Sequence, residues 1–314
     1  MTTLAPIALF VYNRPSHTRQ TVESLQNNGL AKDSSLTIYS DAPKSAEHAE
    51  AVNKVREYIR QIDGFKSVTI IEWEMNYGLA RSIIEGVTRL CGEYGRVIVL
   101  EDDLVTSPYF LQFMNDALNM YEHEDQVMQI SGFTYPIGHI EDETFFLRLP
   151  LCWGWATWNR AWVHFRKDND VMLKFDKKMR RAFSFNNTYH FWWQLELNKK
   201  GKLNTWFVYW YAALFLRGGL ALYPGKSLVK NIGMDGSGMH GDPTNNYDVV
   251  PASSAVQLAP ITCRESEVAV KLHEDFFRKD FQPPPLMPIR VVNKLRREFG
   301  KLLRAISVGG ARGK

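Results

Sequence analysis

Residues 97–104 read Val-Ile-Val-Leu-Glu-Asp-Asp-Leu, four apolar residues followed at once by the carboxylates Glu101, Asp102 and Asp103. An apolar run of this length is typical of a buried strand, and open α/β sheets bind their ligands at the carboxyl ends of strands. Three adjacent acids repel one another unless a positive charge lies beside them. Mg²⁺ and Mn²⁺ supply such a charge and bind carboxylate and phosphate oxygens together. The stretch therefore predicts a strand that ends in a divalent-cation site facing a diphosphate; the alternative is a solvated acidic turn.

Apolar runs alternate with helical patterns over the first part of the chain. The predicted strands are 7–12, 36–39, 68–72 and 97–100, and the predicted helices are 18–27, with Ser16 as its cap, 46–63 and 79–91. This alternation predicts a mostly parallel, doubly wound α/β sheet flanked by helices. Beyond it, the pattern predicts helices at 109–123 and 206–216 and strands at 126–131, 220–222 and 227–229.

The net charge of +4 is unevenly distributed. Residues 286–314 hold eight Lys and Arg and one acid, a net charge of +7, so residues 1–285 sum to −3. A negatively charged globular part argues against a nucleic-acid-binding face on it. Apolar residues recur between the cations at helical spacing, which predicts a basic amphipathic helix suited to an anionic membrane surface. The alternative is a helix that packs on its own domain or on a partner.

The three cysteines, Cys91, Cys152 and Cys263, are far apart and form neither a disulfide framework nor a metal motif. A reducing compartment is therefore expected. We expect no signal peptide at 1–12, and no stretch approaches the roughly 18 apolar residues of a membrane-spanning helix. The predicted location is the cytoplasm, with peripheral attachment to the inner face of the membrane through the tail.

Six short motifs follow one another along the chain: Phe10-Val11-Tyr12-Asn13-Arg14, Ser40-Asp41, Leu79-Ala80-Arg81, Glu101-Asp102-Asp103-Leu104 with Ser107-Pro108-Tyr109-Phe110, Gly154-Trp155 and Gly238-Met239-His240-Gly241. This ordered set resembles glycosyltransferases of the GT-A (Rossmann-like) fold, and more narrowly N-acetylglucosaminyltransferase I and related bacterial enzymes grouped with family 2. The resemblance implies a nucleotide-sugar-binding α/β half at 1–130, an acceptor-binding half at 131–282 and a basic tail at 283–314.

The resemblance also implies an activity and a set of site residues. The expected reaction is metal-dependent, inverting transfer of a sugar from a nucleotide donor, a UDP-sugar, to a glycan or lipid-linked acceptor in cell-surface polysaccharide synthesis. Asp103 and His240 are the expected contacts to Mn²⁺ or Mg²⁺, and Trp155 is expected beside the acceptor. The expected donor contacts are Tyr12, Asn13, Arg14, Asp41, Arg81, Glu101 and Asp102.

Several of these residues have structural alternatives. Asp41 could cap the next helix, Glu101 could order its loop, His240 could be structural, and Arg14 and Arg81 could form surface ion pairs. Tryptophan faces also pack on sugar rings, but we expect Trp158 and Trp162 to be buried.

The general base that an inverting transfer needs is not carried by the resemblance. The family has a Trp followed by two Asp in a segment where this chain reads Trp206-Phe207-Val208-Tyr209-Trp210. Glu196 and Asp235 are the nearest carboxylate candidates, and a retaining mechanism or a loss of activity stays open. A nucleotidyltransferase of similar fold is a further alternative, although it normally has a glycine-rich loop after the first strand and Asn13-Arg14-Pro15-Ser16 has no glycine.

Overall fold

The structure is a computed structural model that describes residues 3–138, 140–237 and 244–280. His240 and the predicted basic tail lie outside these residues. The strands are β1 Ile7–Val11, β2 Ser35–Ser40, β3 Ser67–Glu72, β4 Arg96–Glu101, β5 Leu104–Thr106, β6 Val127–Ser131, β7 Thr144–Leu147, β8 Trp155–Trp158, β9 Leu220–Pro224 and β10 Val229–Asn231. The α-helices are α1 Pro15–Gln26, α2 Ala46–Ile59, α3 Gly78–Tyr94, α4 Phe110–Met120, α5 Asn159–Trp162, α6 Lys177–Phe183, α7 Phe191–Lys199, α8 Phe207–Leu216 and α9 Glu267–Asp280.

The main sheet has eight strands in the order β3-β2-β1-β4-β8-β6-β9-β7. Strands β1 to β4 are parallel to one another, β6 and β9 run the same way, and β7 and β8 are antiparallel to them. The predicted α/β class, a large and mostly parallel sheet flanked by helices, is confirmed. Every residue of β1 is buried, as is usual for a parallel strand with both faces covered.

The register of the sheet brings three loops to one edge. Phe10 of β1 is paired with Glu101 of β4, and Val11 is paired with Ser40 of β2. The residues that follow each strand therefore leave the sheet side by side. This geometry places Arg14 and Asp41 at the same edge as the acidic run.

Local chemistry accounts for two helix boundaries that differ from the sequence prediction. Helix α1 begins at Pro15, so the predicted cap Ser16 lies inside the helix and Arg14 is the N-cap. Proline suits the first helical position because its fixed φ is helical and its missing N–H has no partner to lose. Helix α3 continues to Tyr94 and ends at Gly95, whose φ of 78° is left-handed.

Strand β8 is formed by the tryptophan-rich segment that the sequence pattern did not identify as a strand. It lies between β4 and β6 and is antiparallel to both. The predicted burial of Trp158 and Trp162 is confirmed, since each side chain is 3% exposed. The tryptophans therefore fill the layer behind the centre of the sheet.

A two-stranded ribbon lies beside the acidic run. Strand β5 follows the three acids directly and pairs antiparallel with β10, with Leu104 opposite Asn231 and Thr106 opposite Val229. The ribbon returns the chain to the acids, so the loop after β10 lies next to them. Among the described helices, none is both long and apolar enough to cross a bilayer.

Candidate active site

Arg14 joins the carboxylates at the end of β4. Its Nη2 donates to Asp103 Oδ2 at 2.7 Å and also contacts Asp102 Oδ1. The side chains of Arg14, Asp102 and Asp103 are 18%, 5% and 13% exposed. A single guanidinium therefore bridges two adjacent carboxylates, and offsets one of their two charges, in a place that little water reaches.

The electrostatics of the cluster are dominated by burial. Burial raises the pKa of Glu101 well above its usual value, and the charges of Asp103 and Asp102 add to the shift. Burial also raises the pKa of Asp102, against the opposing charge of Arg14. Burial disfavours the charged guanidinium of Arg14, but the two aspartates outweigh it and raise its pKa. Ionising all three acids therefore requires more positive charge than Arg14 alone supplies, and a further cation would provide it.

Backbone and hydroxyl groups fix the turn that carries the acids. The N–H of Tyr12 donates to Asp102 Oδ2 at 3.3 Å. Thr21 Oγ1 donates to the carbonyl of Asp102 at 2.9 Å and accepts from the N–H of Leu104 at 3.1 Å. Thr21 therefore ties helix α1 to the acidic turn through two hydrogen bonds. No sequence signal indicated this role.

The loop after β10 covers the carboxylates. The N–H of Ile232 donates to the carbonyl of Asp103 at 2.9 Å. A Cβ placed on Gly233 would lie 2.1 Å from Asp103 Oδ2 and 2.9 Å from Arg14 Nη1, so only glycine fits here without displacement. The close approach explains a glycine that the sequence showed only as part of a glycine-rich segment.

Asp235 lies on the same loop, two residues after Gly233. Its Oδ2 lies 3.1 Å from Nε2 of His17 on α1, and its side chain is 48% exposed. Its Oδ1 accepts from the N–H and the hydroxyl of Ser237. Hydrogen bonds from Ser237 lower the pKa of Asp235, so the carboxylate stays charged. His17 had no distinguishing sequence signal.

The expected donor contacts at the end of β1 lie at this edge. The hydroxyl of Tyr12 lies 2.6 Å from Nδ1 of His48 and accepts from the N–H of Lys44 at 2.9 Å. Asn13 forms a half-buried bend between β1 and α1. Both residues therefore lie next to Arg14, as the sequence order implies.

Asp41, the residue after β2, stabilises the loop between β3 and α3. Its Oδ1 accepts from the N–H groups of Ala42 at 2.9 Å and Tyr77 at 2.8 Å. Its Oδ2 accepts from Gly78 N at 2.8 Å and Asn76 Nδ2 at 3.1 Å. Asp41 thus holds the start of α3 rather than that of α2, the next helix, and contact with a nucleotide base stays a prediction.

Arg81 is an exposed side chain of α3. Its Nε lies 2.6 Å from Glu85 Oε1, and its guanidinium lies 3.7 Å from the ring centroid of Tyr77. These contacts correspond to the surface ion pair that was the alternative for this residue. Both contacts lie within α3 and its N-terminal flank rather than at the acidic cluster, so a donor contact for Arg81 stays a prediction.

Two other expected site residues lie elsewhere. Trp155 is fully buried and stacks on Trp206 with ring centroids 5.2 Å apart, so its ring presents no surface to an acceptor. Glu196 accepts from Trp192 Nε1 at 3.0 Å on α7, a helix that packs on α6 and α8 rather than on β4. Of the two base candidates, Asp235 lies on the loop whose Ile232 N–H bonds the carbonyl of Asp103, and a role as base stays a prediction.

The donor set fits a hard divalent cation. Among the described residues no three His, Cys, Asp or Glu side chains form a ready cluster for a metal ion. Mg²⁺, however, is commonly bound by one or two carboxylates together with substrate phosphates. Asp103 and Asp102 supply such oxygens, and the Arg14 guanidinium is a stand-in cation bonded to them.

Comparisons with known proteins give distant matches. No protein-family model and no curated protein matches this chain. Among solved structures, a mannosyltransferase from Pyrobaculum calidifontis in complex with GDP-Man and Mn²⁺ aligns with a TM-score of 0.36 and 11% identity, over 69% of this chain and 70% of that one. TarS from S. aureus aligns with a TM-score of 0.34 and 14% identity, over 53% of this chain and 30% of that one. Its 1-349 fragment in complex with UDP aligns at 0.28 and 14%, over 40% and 34%. Values this low assign no activity to this chain.

Proposed function

We propose that this chain is a metal-dependent glycosyltransferase that moves a sugar from a nucleotide donor, a UDP-sugar, to a hydroxyl of a glycan or lipid-linked acceptor. The observation that carries the proposal is the set of three acids at the carboxyl end of β4, neutralised in part by Arg14 from the end of β1. Such a set suits a nucleoside diphosphate with its cation, because both charges are then matched.

Different residues of the site are assigned to binding the donor and to stabilising the leaving diphosphate. Asp103, helped by Asp102, would hold Mn²⁺ or Mg²⁺, and that cation would supply Lewis-acid stabilisation of the departing diphosphate. Arg14 adds a second positive charge beside the same phosphates. Glu101 and Tyr12, at the carboxyl ends of β4 and β1, would contact the ribose and the sugar. The loop after β10, whose Ile232 N–H bonds the carbonyl of Asp103, would cover the reacting bond.

Asp235 is the base that the geometry favours for an inverting transfer. It lies on the covering loop two residues from Gly233, and its side chain is 48% exposed. It can therefore meet an acceptor hydroxyl at the mouth of the site and take its proton. His17 holds the carboxylate in place from α1 at 3.1 Å.

A donor-turnover assay tests the activity. The purified chain is incubated with UDP- and GDP-sugars, with Mn²⁺ or with a chelator, and the released nucleotide is identified. We expect free nucleoside diphosphate that depends on Mn²⁺ and is lost in Asp103→Asn. Asp116→Asn, at an exposed position on α4, is the matched control and should turn over normally.

Other products decide the alternatives. Release of pyrophosphate would identify a nucleotidyltransferase that attacks the α-phosphate. Binding of a nucleotide-sugar without any turnover would identify an inactive relative. Asp103→Asn turnover equal to that of the unaltered chain would refute the assignment of the metal ligand.

The membrane part of the proposal concerns residues outside the described ranges. Eight Lys and Arg in 286–314 would attract an anionic surface, at about 1 kcal/mol for each cation near it. Co-sedimentation with vesicles containing phosphatidylserine, compared with neutral vesicles, tests this attachment. Equal binding to both would contradict it.

A further inference from the structure

Arg14 uses the oxygens that a divalent cation needs. Its Nη2 lies 2.7 Å from Asp103 Oδ2 and bonds Asp102 Oδ1 as well. A Mg²⁺ ion binds a carboxylate oxygen at about 2.0–2.1 Å. A cation at that distance from the same Oδ2 would lie close to a guanidinium that is itself positive. The two positive groups therefore repel each other and compete for this oxygen.

We infer that Arg14 is an internal counter-cation that a divalent metal ion must displace from Asp103, so that metal and nucleoside diphosphate bind this chain cooperatively. The inference rests on the proposed function, because it takes Asp103 as the metal ligand. Its subject is the partner of Arg14 before and after the metal ion and the nucleoside diphosphate bind. It makes the arginine a positioning residue with two alternative partners.

The displaced guanidinium needs a new anion. Its side chain is 18% exposed, and a buried charge without a partner is costly. The diphosphate of the donor is the anion that the reaction brings to this edge of the sheet. Metal binding alone therefore separates Arg14 from a carboxylate, whereas metal binding together with the diphosphate exchanges one anionic partner for another.

Linkage makes this coupling reciprocal. If a nucleoside diphosphate strengthens metal binding by some factor, the metal strengthens nucleotide binding by the same factor. The covering loop sharpens the effect, because the backbone of Gly233 bounds the space beside Arg14 Nη1. The guanidinium thus has little room to move aside unless a partner draws it toward the cleft.

The experiment measures Mn²⁺ affinity rather than activity. Free Mn²⁺ is followed by electron paramagnetic resonance while the ion is titrated into the protein, alone or with saturating UDP or GDP. The variants are Arg14→Gln and Arg14→Lys. Arg60→Gln is the control, since it removes an arginine–carboxylate pair with Glu72 at the exposed surface.

The expected result has two parts. Arg14→Gln binds Mn²⁺ without nucleotide at least about tenfold more tightly than the unaltered chain, a ratio equal to about 1.4 kcal/mol. The enhancement by UDP or GDP seen in the unaltered chain shrinks in this variant by the same factor. Arg60→Gln changes neither quantity.

Other results overturn the inference or the function separately. Equal Mn²⁺ affinity in Arg14→Gln and the unaltered chain overturns the counter-cation role while leaving nucleotide-dependent metal binding intact. If the unaltered chain binds no Mn²⁺ even with UDP or GDP, both the inference and the metal dependence fall. Arg14→Lys keeps the charge without the planar fork, so its Mn²⁺ affinity should lie between those of Arg14→Gln and the unaltered chain. If Arg14→Gln does not fold, the unaltered chain decides: a Mn²⁺ affinity that UDP or GDP leaves unchanged overturns the inference.

Discussion

Gly233→Ala tests whether the loop after β10 and Asp103 form one site. The new Cβ would lie 2.1 Å from Asp103 Oδ2, whereas ordinary contact begins at 3.4 Å, so the loop and the carboxylate must separate by about 1.3 Å. Overpacking of this kind typically costs about 1–3 kcal/mol of stability. A domain of ordinary stability, about 5–15 kcal/mol, stays folded after that loss. The effect on catalysis is larger, because misplacing a catalytic group by about 1 Å can cost about 100-fold in rate.

The assay compares turnover and unfolding for two glycine variants. In Gly92→Ala the new Cβ meets nothing within 4 Å on the exposed side of α3, so this variant should keep its turnover and gain about 0.5–1 kcal/mol. Gly233→Ala should unfold cooperatively in urea yet lose about 100-fold in Mn²⁺-dependent donor turnover. Turnover within twofold of the unaltered chain would refute the idea that this loop positions Asp103.

Three further variants test the physical reasoning about single residues. Burial lowers the pKa of His273 from 6.5 to about 4, so stability that is present above pH 6.5 is lost as the pH falls toward 4. Between pH 7 and 5 the free energy of unfolding, measured with urea, should therefore fall by about 2 kcal/mol less in His273→Phe than in the unaltered chain. Equal losses in both proteins would contradict this. Asp41→Ala leaves the N–H groups of Tyr77 and Gly78 without their acceptor and should cost about 1–3 kcal/mol; an unchanged urea midpoint would contradict its structural role. Trp206→Ala should cost about 3–5 kcal/mol, because the ring is 3% exposed and is stacked in the core; a loss below 1 kcal/mol would show that the stack contributes little.

The first half of the fold could be predicted because its signals are local. Apolar runs separated by helical patterns specify β1 to β4, and the acids directly after β4 lie at the ligand-binding edge by the geometry of parallel strands. The predicted ends were off by a few residues where capping decided them, as at Pro15 and Gly95. Such ends depend on single residues rather than on periodicity.

The second half depends on contacts between distant segments, which the sequence pattern does not encode. Strand β8 was missed because its tryptophans lack the alternation of a surface strand, and both of its neighbours in the sheet are distant in sequence. Glu196 and Asp235 were equivalent on sequence grounds, yet only Asp235 lies on a loop held beside Asp103. The bonds from Arg14 to both aspartates could not be predicted either. Sequence order alone did not show whether Arg14 contacts the nucleotide or forms an ion pair with the acids.

The pairing of β5 with β10 makes the site dependent on the order in which the chain is synthesised. Leu104–Thr106 emerges from the ribosome well before Val229–Asn231, its partner strand. At synthesis rates of about 5–20 residues per second, the acids wait several seconds before their covering loop exists. During that interval the growing polypeptide carries an open acidic edge and a short unpaired strand. The acids can be covered only after the loop that follows Asn231 has been synthesised.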